Sequence, residues 1–233
     1  MPNSVLIIED DPDIAESLRI CLQSDRVDAR VVYTGEDGLT ASLDKNSPPS
    51  AILLDLLLPG MNGLELCRRL RRESSTRTTP IIFLTAKTSG ADVSSCFDAG
   101  ADDYVMKPFS IRALLKRINT ILTRNQKEPV QVYNDGVLKI DFVERRVFLN
   151  GSLLAVVGFD FSLLAELAAV PGRVKTSQEL ATQFWQTEGR TPDWTYDLTS
   201  QRLQQLTRIC SGVEAVSSCA YRFIGHRGAQ VTQ

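Results

Sequence analysis

The stretch "AILLDLLLPGMNG", residues 51–63, decides how the rest of the chain is read. Residues 51–58 are apolar except at Asp55. A run this short and this apolar suits a strand covered on both faces, as in a parallel sheet. An unpaired buried carboxylate is costly, so Asp55 is expected at the strand's end, where a cation or solvent can reach it.

Four more short apolar runs flank this one, at Val5 to Ile8, Val31 to Tyr33, Ile81 to Leu84 and Tyr104 to Met106. Each is followed by apolar residues at helical spacing, for example Ile14, Leu18 and Cys21, or Leu66, Cys67 and Leu70. Five strand and helix alternations imply right-handed crossovers and an α/β, doubly wound, five-stranded parallel sheet. Ligands of such folds bind at the carboxyl edge of the strands.

The polar residues fall on that edge. Glu9, Asp10 and Asp11 follow the first strand, Asp55 ends the third, Thr85 ends the fourth and Lys107 follows the fifth. Carboxylates gathered at one edge repel one another unless a divalent cation neutralises them, and an oxygen-only donor set suits magnesium. Alone, a strand-end Asp is ordinarily a cap and a Lys a solvated charge; converging from four strand ends, they point to a functional site. The set is suited to phosphoryl chemistry: Asp55 can form an acyl phosphate, magnesium can screen the incoming charge, and Lys107 and Thr85 can bind phosphate oxygens.

Residues 1–124, through "LIIEDDPDI", "ILLDLLLPGMNGLEL", "IIFLTAK" and "GADDYVMKPFS", resemble the flavodoxin-like receiver domain of two-component response regulators. The resemblance implies that Glu9, Asp10, Asp55 and the Leu57 carbonyl hold Mg2+ and that a sensor histidine kinase or phosphotransfer protein phosphorylates Asp55. It further implies that Thr85 is the switch hydroxyl, that Tyr104 swings inward, and that Lys107 pairs with the phosphate ahead of a cis bond to Pro108. Roughly two added negative charges would then bias two arrangements of the last helix, strand and helix. A dehalogenase-type phosphatase would need a second Asp two positions after the nucleophile as general acid; Leu57 stands there and cannot donate a proton. The chain is therefore expected not to be an enzyme. A receiver-like domain without phosphorylation would lack one of these groups, and all are present.

The remaining numbers set bounds. The chain has 233 residues, a formal net charge of −2, 43% hydrophobic and 23% charged residues, which is ordinary globular composition and room for two domains. Residues 130–233 carry ten Lys or Arg against ten carboxylates, so any nucleic-acid role must rest on a local patch. Five cysteines without C-x-x-C spacing read as reduced thiols. The start "MPNSVLIIED" lacks the basic region of a signal peptide, and the apolar stretch from Leu153 to Val170 is interrupted by Asp160 and Glu166. A cytoplasmic location without membrane contact is expected.

Helical periodicity ends near Leu122, and residues 125–135 read as a linker. Within residues 136–233, strands are expected at Val137 to Ile140, Arg146 to Leu149 and Leu153 to Val156, with a hairpin turn at Asn150-Gly151. Helices follow over Phe159 to Ala169, over Thr176 to Trp185 with a Thr176/Glu179 capping box, and over Pro192 to Ile209; "VEAVSSCAYRFIG" reads as a terminal hairpin. This α+β order, with "DGVLKIDFVERRVFLNG", "FDFSLLAEL", "PGRVKTSQEL" and "AYRF", resembles the winged-helix effector domain of OmpR/PhoB-type transcription factors. In that family the third helix enters the major groove and the hairpin touches the minor groove or phosphates.

The resemblance has departures. Val156-Val157 replaces a helix-opening Leu-Thr and removes a capping hydroxyl worth about 1 kcal/mol. The wing reads Ser217-Ser218-Cys219-Ala220-Tyr221, without the usual glycines and basic residue. The third helix is poor in cations, and two registers four residues apart fit it. Thr199, Arg202, Arg208 and Arg222 are the candidate DNA contacts, for Arg202 and Arg208 against an ordinary solvated helix face, while Ser200, Gln201, Gln204 and Gln205 could hydrogen-bond to bases or phosphates. Trp185 and Trp194 are expected in the core and His226 in a surface tail.

Receivers of this family pair through the last helix, strand and helix, and Asp102, Asp103 and Arg117 fit that salt-bridge pattern, which implies a homodimer. Ser95 and Ala113 stand where two further charges are usual, so the network should be weaker. The expected output is regulation of promoter DNA, with a contact to RNA polymerase. A receiver-controlled protein-interaction adaptor, whose winged helix has lost or weakened DNA binding, is the alternative.

Overall fold

The computed structural model describes residues 4–86, 90–124, 132–185 and 194–225. The chain divides into two compact units, Met1–Lys127 and Glu128–Gln233.

In the first unit, β1 (Ser4–Ile8), β2 (Asp28–Val32), β3 (Ala51–Asp55), β4 (Ile81–Thr85) and β5 (Asp103–Met106) form one parallel sheet in the order β2-β1-β3-β4-β5. Helices α1 (Pro12–Ser24), α2 (Gly35–Ser42), α3 (Gly63–Arg72), α4 (Gly90–Asp98) and α5 (Ile111–Arg124) make the crossovers. Strands β3 and β4 are buried along their whole length, as their unbroken apolar runs require. Val5, Ile7, Leu53, Ile82 and Leu84 pack with Ala15, Leu18 and Leu22 of α1 and with Leu114 and Ile118 of α5. Strand order reverses between β1 and β3, so the crevice at their carboxyl ends is the switch point where ligands bind in such sheets.

The second unit opens with an antiparallel sheet of β6 (Val132–Asn134), β7 (Leu138–Asp141), β8 (Arg146–Leu149) and β9 (Ser152–Leu154). Asn150 and Gly151 both take left-handed φ, 50° and 79°, which sets the tight hairpin between β8 and β9. Next come α6 (Gly158–Ala168), β10 (Lys175–Thr176), α7 (Ser177–Trp185), α8 (Trp194–Ile209), β11 (Val213–Ser217) and β12 (Ala220–Phe223), with a second sheet in the order β10-β12-β11.

Strand β6 lies inside the stretch expected as linker. Val132, Tyr133 and Asn134 pair with Asp141, Ile140 and Lys139, and the Tyr133 ring packs edge-on against Phe223 at 4.9 Å. These contacts draw residues 132–134 into the fold; residues 125–131 lie outside the described part, as does His226.

Local signals act as their chemistry dictates. Val157 caps α6 without a side-chain hydrogen bond, consistent with the missing hydroxyl. At α7 the capping box forms: Glu179 N donates to Thr176 Oγ1 at 3.0 Å and Thr176 N donates to Glu179 Oε2 at 2.7 Å. The Thr176 N–H and the Thr176 hydroxyl, which also donates to Glu179 Oε2 at 3.0 Å, hold the Glu179 carboxyl below its ordinary pKa. Trp185 is buried in edge-on contact with Phe159 and Trp194. No helix among the described residues is long and apolar enough to cross a membrane.

Candidate functional site

Four of the five strands of the first unit, all but β2, deliver polar residues to the same edge. Strand β1 ends so that Glu9 is buried and Asp10 exposed, β3 ends on buried Asp55, and β4 ends on fully buried Thr85. Carboxylate oxygens of Glu9, Asp10 and Asp55 all lie within 4.8 Å of one another. Asp11 is not part of this group: its Oδ1 accepts from the N–H groups of Asp13 at 2.9 Å and Ile14 at 3.2 Å and so caps α1.

Lys107 reaches the carboxylates from beyond β5. Its backbone N–H donates to the Thr85 carbonyl at 2.8 Å, and Lys107-Pro108 is a cis bond. Its Nζ donates to both oxygens of Glu9 at 2.7 Å and to Asp55 Oδ2. The other Asp55 oxygen accepts from the Leu57 N–H at 2.9 Å. Both oxygens of the acceptor carboxylate are thus held in place.

The electrostatics follow from burial. Desolvation raises the Glu9 pKa from 4.5 to about 7; the Lys107 hydrogen bond opposes the rise and the Asp55 charge adds to it. Burial disfavours the Lys107 ammonium, yet its bonds to Asp55 and Glu9 outweigh this and raise its pKa. With all three carboxylates ionised, the one ammonium would leave two negative charges, the amount a divalent cation neutralises. An all-oxygen donor set of this kind fits magnesium. Tyr104 is inward-facing and buried, and desolvation, followed by the neighbouring Cys96 and Asp92, pushes its hydroxyl up to about 12.

Three positioning residues, Gly60, Gly63 and Glu36, escaped the sequence reading. Gly63 opens α3, and a Cβ there would meet the Asp55 carbonyl oxygen at 2.3 Å, so only glycine lets α3 start this close to β3. Glu36 accepts the Met61 N–H at 3.0 Å through Oε1, and a Cβ on Gly60, which has φ 73°, would strike the Glu36 carboxylate at 2.7 Å. The "PGMNG" turn was the available signal for Gly60 and Gly63; nothing in the sequence pointed to Glu36.

Asp102, Asp103 and Arg117, named for the expected dimer network, all have partners within the chain. Asp102 Oδ2 pairs with Arg71 Nη2 at 2.6 Å within the chain, both side chains being 5% exposed. Arg71 also donates to the carbonyls of Gly100, Thr76, Arg77 and Thr79, tying the end of α3 to the start of β5. Asp103 pairs with Arg117 at 3.0 Å, again within one chain. Arg71 thus engages the Asp102 carboxylate within the chain, as Arg117 engages that of Asp103.

Two of the candidate DNA contacts on α8, Thr199 and Arg202, are corrected by their burial, while Arg208 is exposed. Thr199 is fully buried and Arg202 is 2% exposed, with Arg202 Nη1 3.5 Å from Asp160 Oδ2 on α6. The buried side of α8 is Thr195, Leu198, Thr199, Arg202, Leu203 and Leu206, which fixes the register left open by the sequence. Its exposed side carries Asp197, Gln201, Gln204, Gln205 and Arg208. Arg222 is half-buried and bonds Glu214 through Nε at 2.7 Å.

Comparison with known proteins agrees with this geometry. Residues 5–119 match the response regulator receiver domain. The DNA-binding response regulator MtrA of Mycolicibacterium smegmatis is 40% identical over 185 residues, 79% of each chain. The transcriptional regulatory protein AfsQ1 of Streptomyces coelicolor is 37% identical, over 86% of this chain and 87% of that one. The crystal structure of DrrB, an OmpR/PhoB homolog from Thermotoga maritima, covers 97% of this chain and 100% of its own at 28% identity, with a TM-score of 0.53. From pocket, topology and relatives together, the chain belongs to the OmpR/PhoB-type response regulators, the phosphorylation-controlled transcription regulators of two-component systems.

Proposed function

We propose that Asp55 is the phosphoacceptor and that its acyl phosphate controls DNA binding by the second unit. The observation that carries this reading is the Lys107 ammonium bonded to both Glu9 and Asp55, beside a third carboxylate from Asp10. An Asp55 oxygen attacks the phosphorus of a phosphohistidine on a sensor kinase or phosphotransfer protein. The new O–P bond forms as the N–P bond breaks, and the imidazole leaves. Glu9, Asp10, Asp55 and the Leu57 carbonyl would hold magnesium, which would supply neutralisation of the phosphate charge.

After transfer, Lys107 exchanges a carboxylate partner for a phosphate oxygen, and the Thr85 hydroxyl binds another. Tyr104 follows Thr85 as the switch aromatic, changing the face made by α4, β5 and α5. The chain acts as a signalling switch in the cytoplasm and not as an enzyme. Asp103 and Arg117, already paired with each other, offer that face as a phosphorylation-dependent homodimer contact.

The named relatives support promoter DNA as the partner of the second unit and lend nothing to a protein-interaction adaptor. The surface for DNA is the exposed side of α8, with Arg208 as its cation, and the β11–β12 hairpin. Arg222 shares its charge with Glu214 and so contributes less to phosphate binding.

The test is labelling by a small phosphodonor with magnesium, followed by binding of the full chain to genomic fragments at low and high salt. Wild type should label once and then retain particular fragments. Full labelling of Asp55→Ala would overturn the acceptor assignment; no fragment retained at any salt would overturn the DNA reading.

A further inference from the structure

The exposed side of α8 is built from amides. Gln201, Gln204 and Gln205 lie at spacings of three and four residues, and Arg208 is the only exposed cation of the helix. An α8 reading bases mainly through arginine would favour guanine; amide side chains bond bidentately to adenine N6 and N7.

One of the glutamines is tied to the scaffold. Gln205 Oε1 accepts from Arg202 Nη1 at 3.2 Å. A guanidinium only donates, so this contact settles which end of the amide is the carbonyl and leaves Nε2 outward as the donor. The carbonyl oxygen keeps a second lone pair for an adenine amino group. Arg202 is itself held in the interior by Asp160 of α6, so the amide is oriented by a buried ion pair. Tyr221 on β12 donates to the Ser218 carbonyl at the hairpin turn at 3.3 Å. Gln201 and Gln204 are exposed beside Gln205 on the same side of α8.

We propose that Gln205 reads adenine in the major groove, oriented by Arg202 and Asp160, so that the preferred sites of this protein carry an A·T pair at the position Gln205 meets. This rests on the DNA-binding reading above. Arg202 and Asp160 are positioning residues: they fix the amide and touch no base. Fixing the amide beforehand lowers the ordering cost of the contact.

The experiment is selection from a randomised duplex library by the phosphodonor-treated full chain, comparing wild type, Gln205→Ala and Arg202→Met. Wild-type sites should show adenine at one position of each half-site. Gln205→Ala should lose about tenfold of that preference while other positions hold, on the order of one bidentate contact. Arg202→Met, made together with Asp160→Leu so that no buried charge is stranded, should weaken the same position and no other, an outcome that a loss of fold alone would not give. Since Gln205 is exposed, its variant folds as wild type does, and circular dichroism checks this. Guanine at that position, or an unchanged preference in Gln205→Ala, would overturn the inference and leave DNA binding standing. A wild-type chain that enriches no sequence would overturn the DNA-binding reading and the inference with it.

Discussion

Both units bury a cation against carboxylates, with opposite consequences. In the first, Lys107 meets Glu9 and Asp55 at the carboxyl edge of a sheet, with exposed Asp10 beside them. In the second, Arg202 meets Asp160 between two helices, and both side chains are buried. The Lys107 cluster holds more negative than positive charge and is open to an ion and to phosphate. The Arg202 pair is balanced and closed. Excess charge at an accessible edge makes a reactive site; balanced charge inside makes a brace.

The contrast can be broken at its strongest point by Asp55→Ala, which should abolish labelling by a small phosphodonor while leaving the second unit's folding unchanged. Next in size is Arg202→Ala, which strands Asp160 in the interior. Removing one partner of a buried pair costs about 3–5 kcal/mol, so denaturant unfolding of the second unit should shift strongly while labelling of Asp55 persists. An equal effect of that variant on labelling would end the distinction drawn between brace and site.

Magnesium binding sharpens the comparison further. The Glu9 pKa lies near 7 in the metal-free fold against 4.5 in the ordinary range, so between those values the folded chain holds a proton that the unfolded chain has released. Stability of the metal-free protein should therefore fall as pH rises through that window. Magnesium needs the carboxylate, so its affinity should climb by up to about tenfold per pH unit below 7 and level off above it. Calorimetric titration at several pH values checks this, and a flat profile would contradict the role of Glu9. The smallest effect is at α7: Thr176→Ala removes the cap and should lower stability by about 1 kcal/mol in thermal melts, with the Asp55 pocket untouched.

How much was legible differs between the two regions. Strands β1, β3, β4 and β5 carry dense apolar runs, so their positions and the polar residue ending each were readable from residue order alone. Helix α8 has apolar residues at only a few places, and its core side is completed by Thr195, Thr199 and Arg202. A pattern so sparse fits two registers, which is why two buried residues stood among the candidate DNA contacts. The partner of Asp102 was illegible for another reason: Arg71 lies 31 positions away and reads as one more surface arginine of α3.

Residue order by itself determined the parallel sheet, the carboxyl edge and the group of Glu9, Asp10, Asp55, Thr85 and Lys107, because strand-end residues must gather wherever parallel strands align. Tertiary structure alone decided which charges face inward, that Arg202 and Arg71 serve as braces, and that amides cover the outer side of α8. A charged side chain carries no mark of its partner; burial and pairing are set by elements that meet only when the chain has folded.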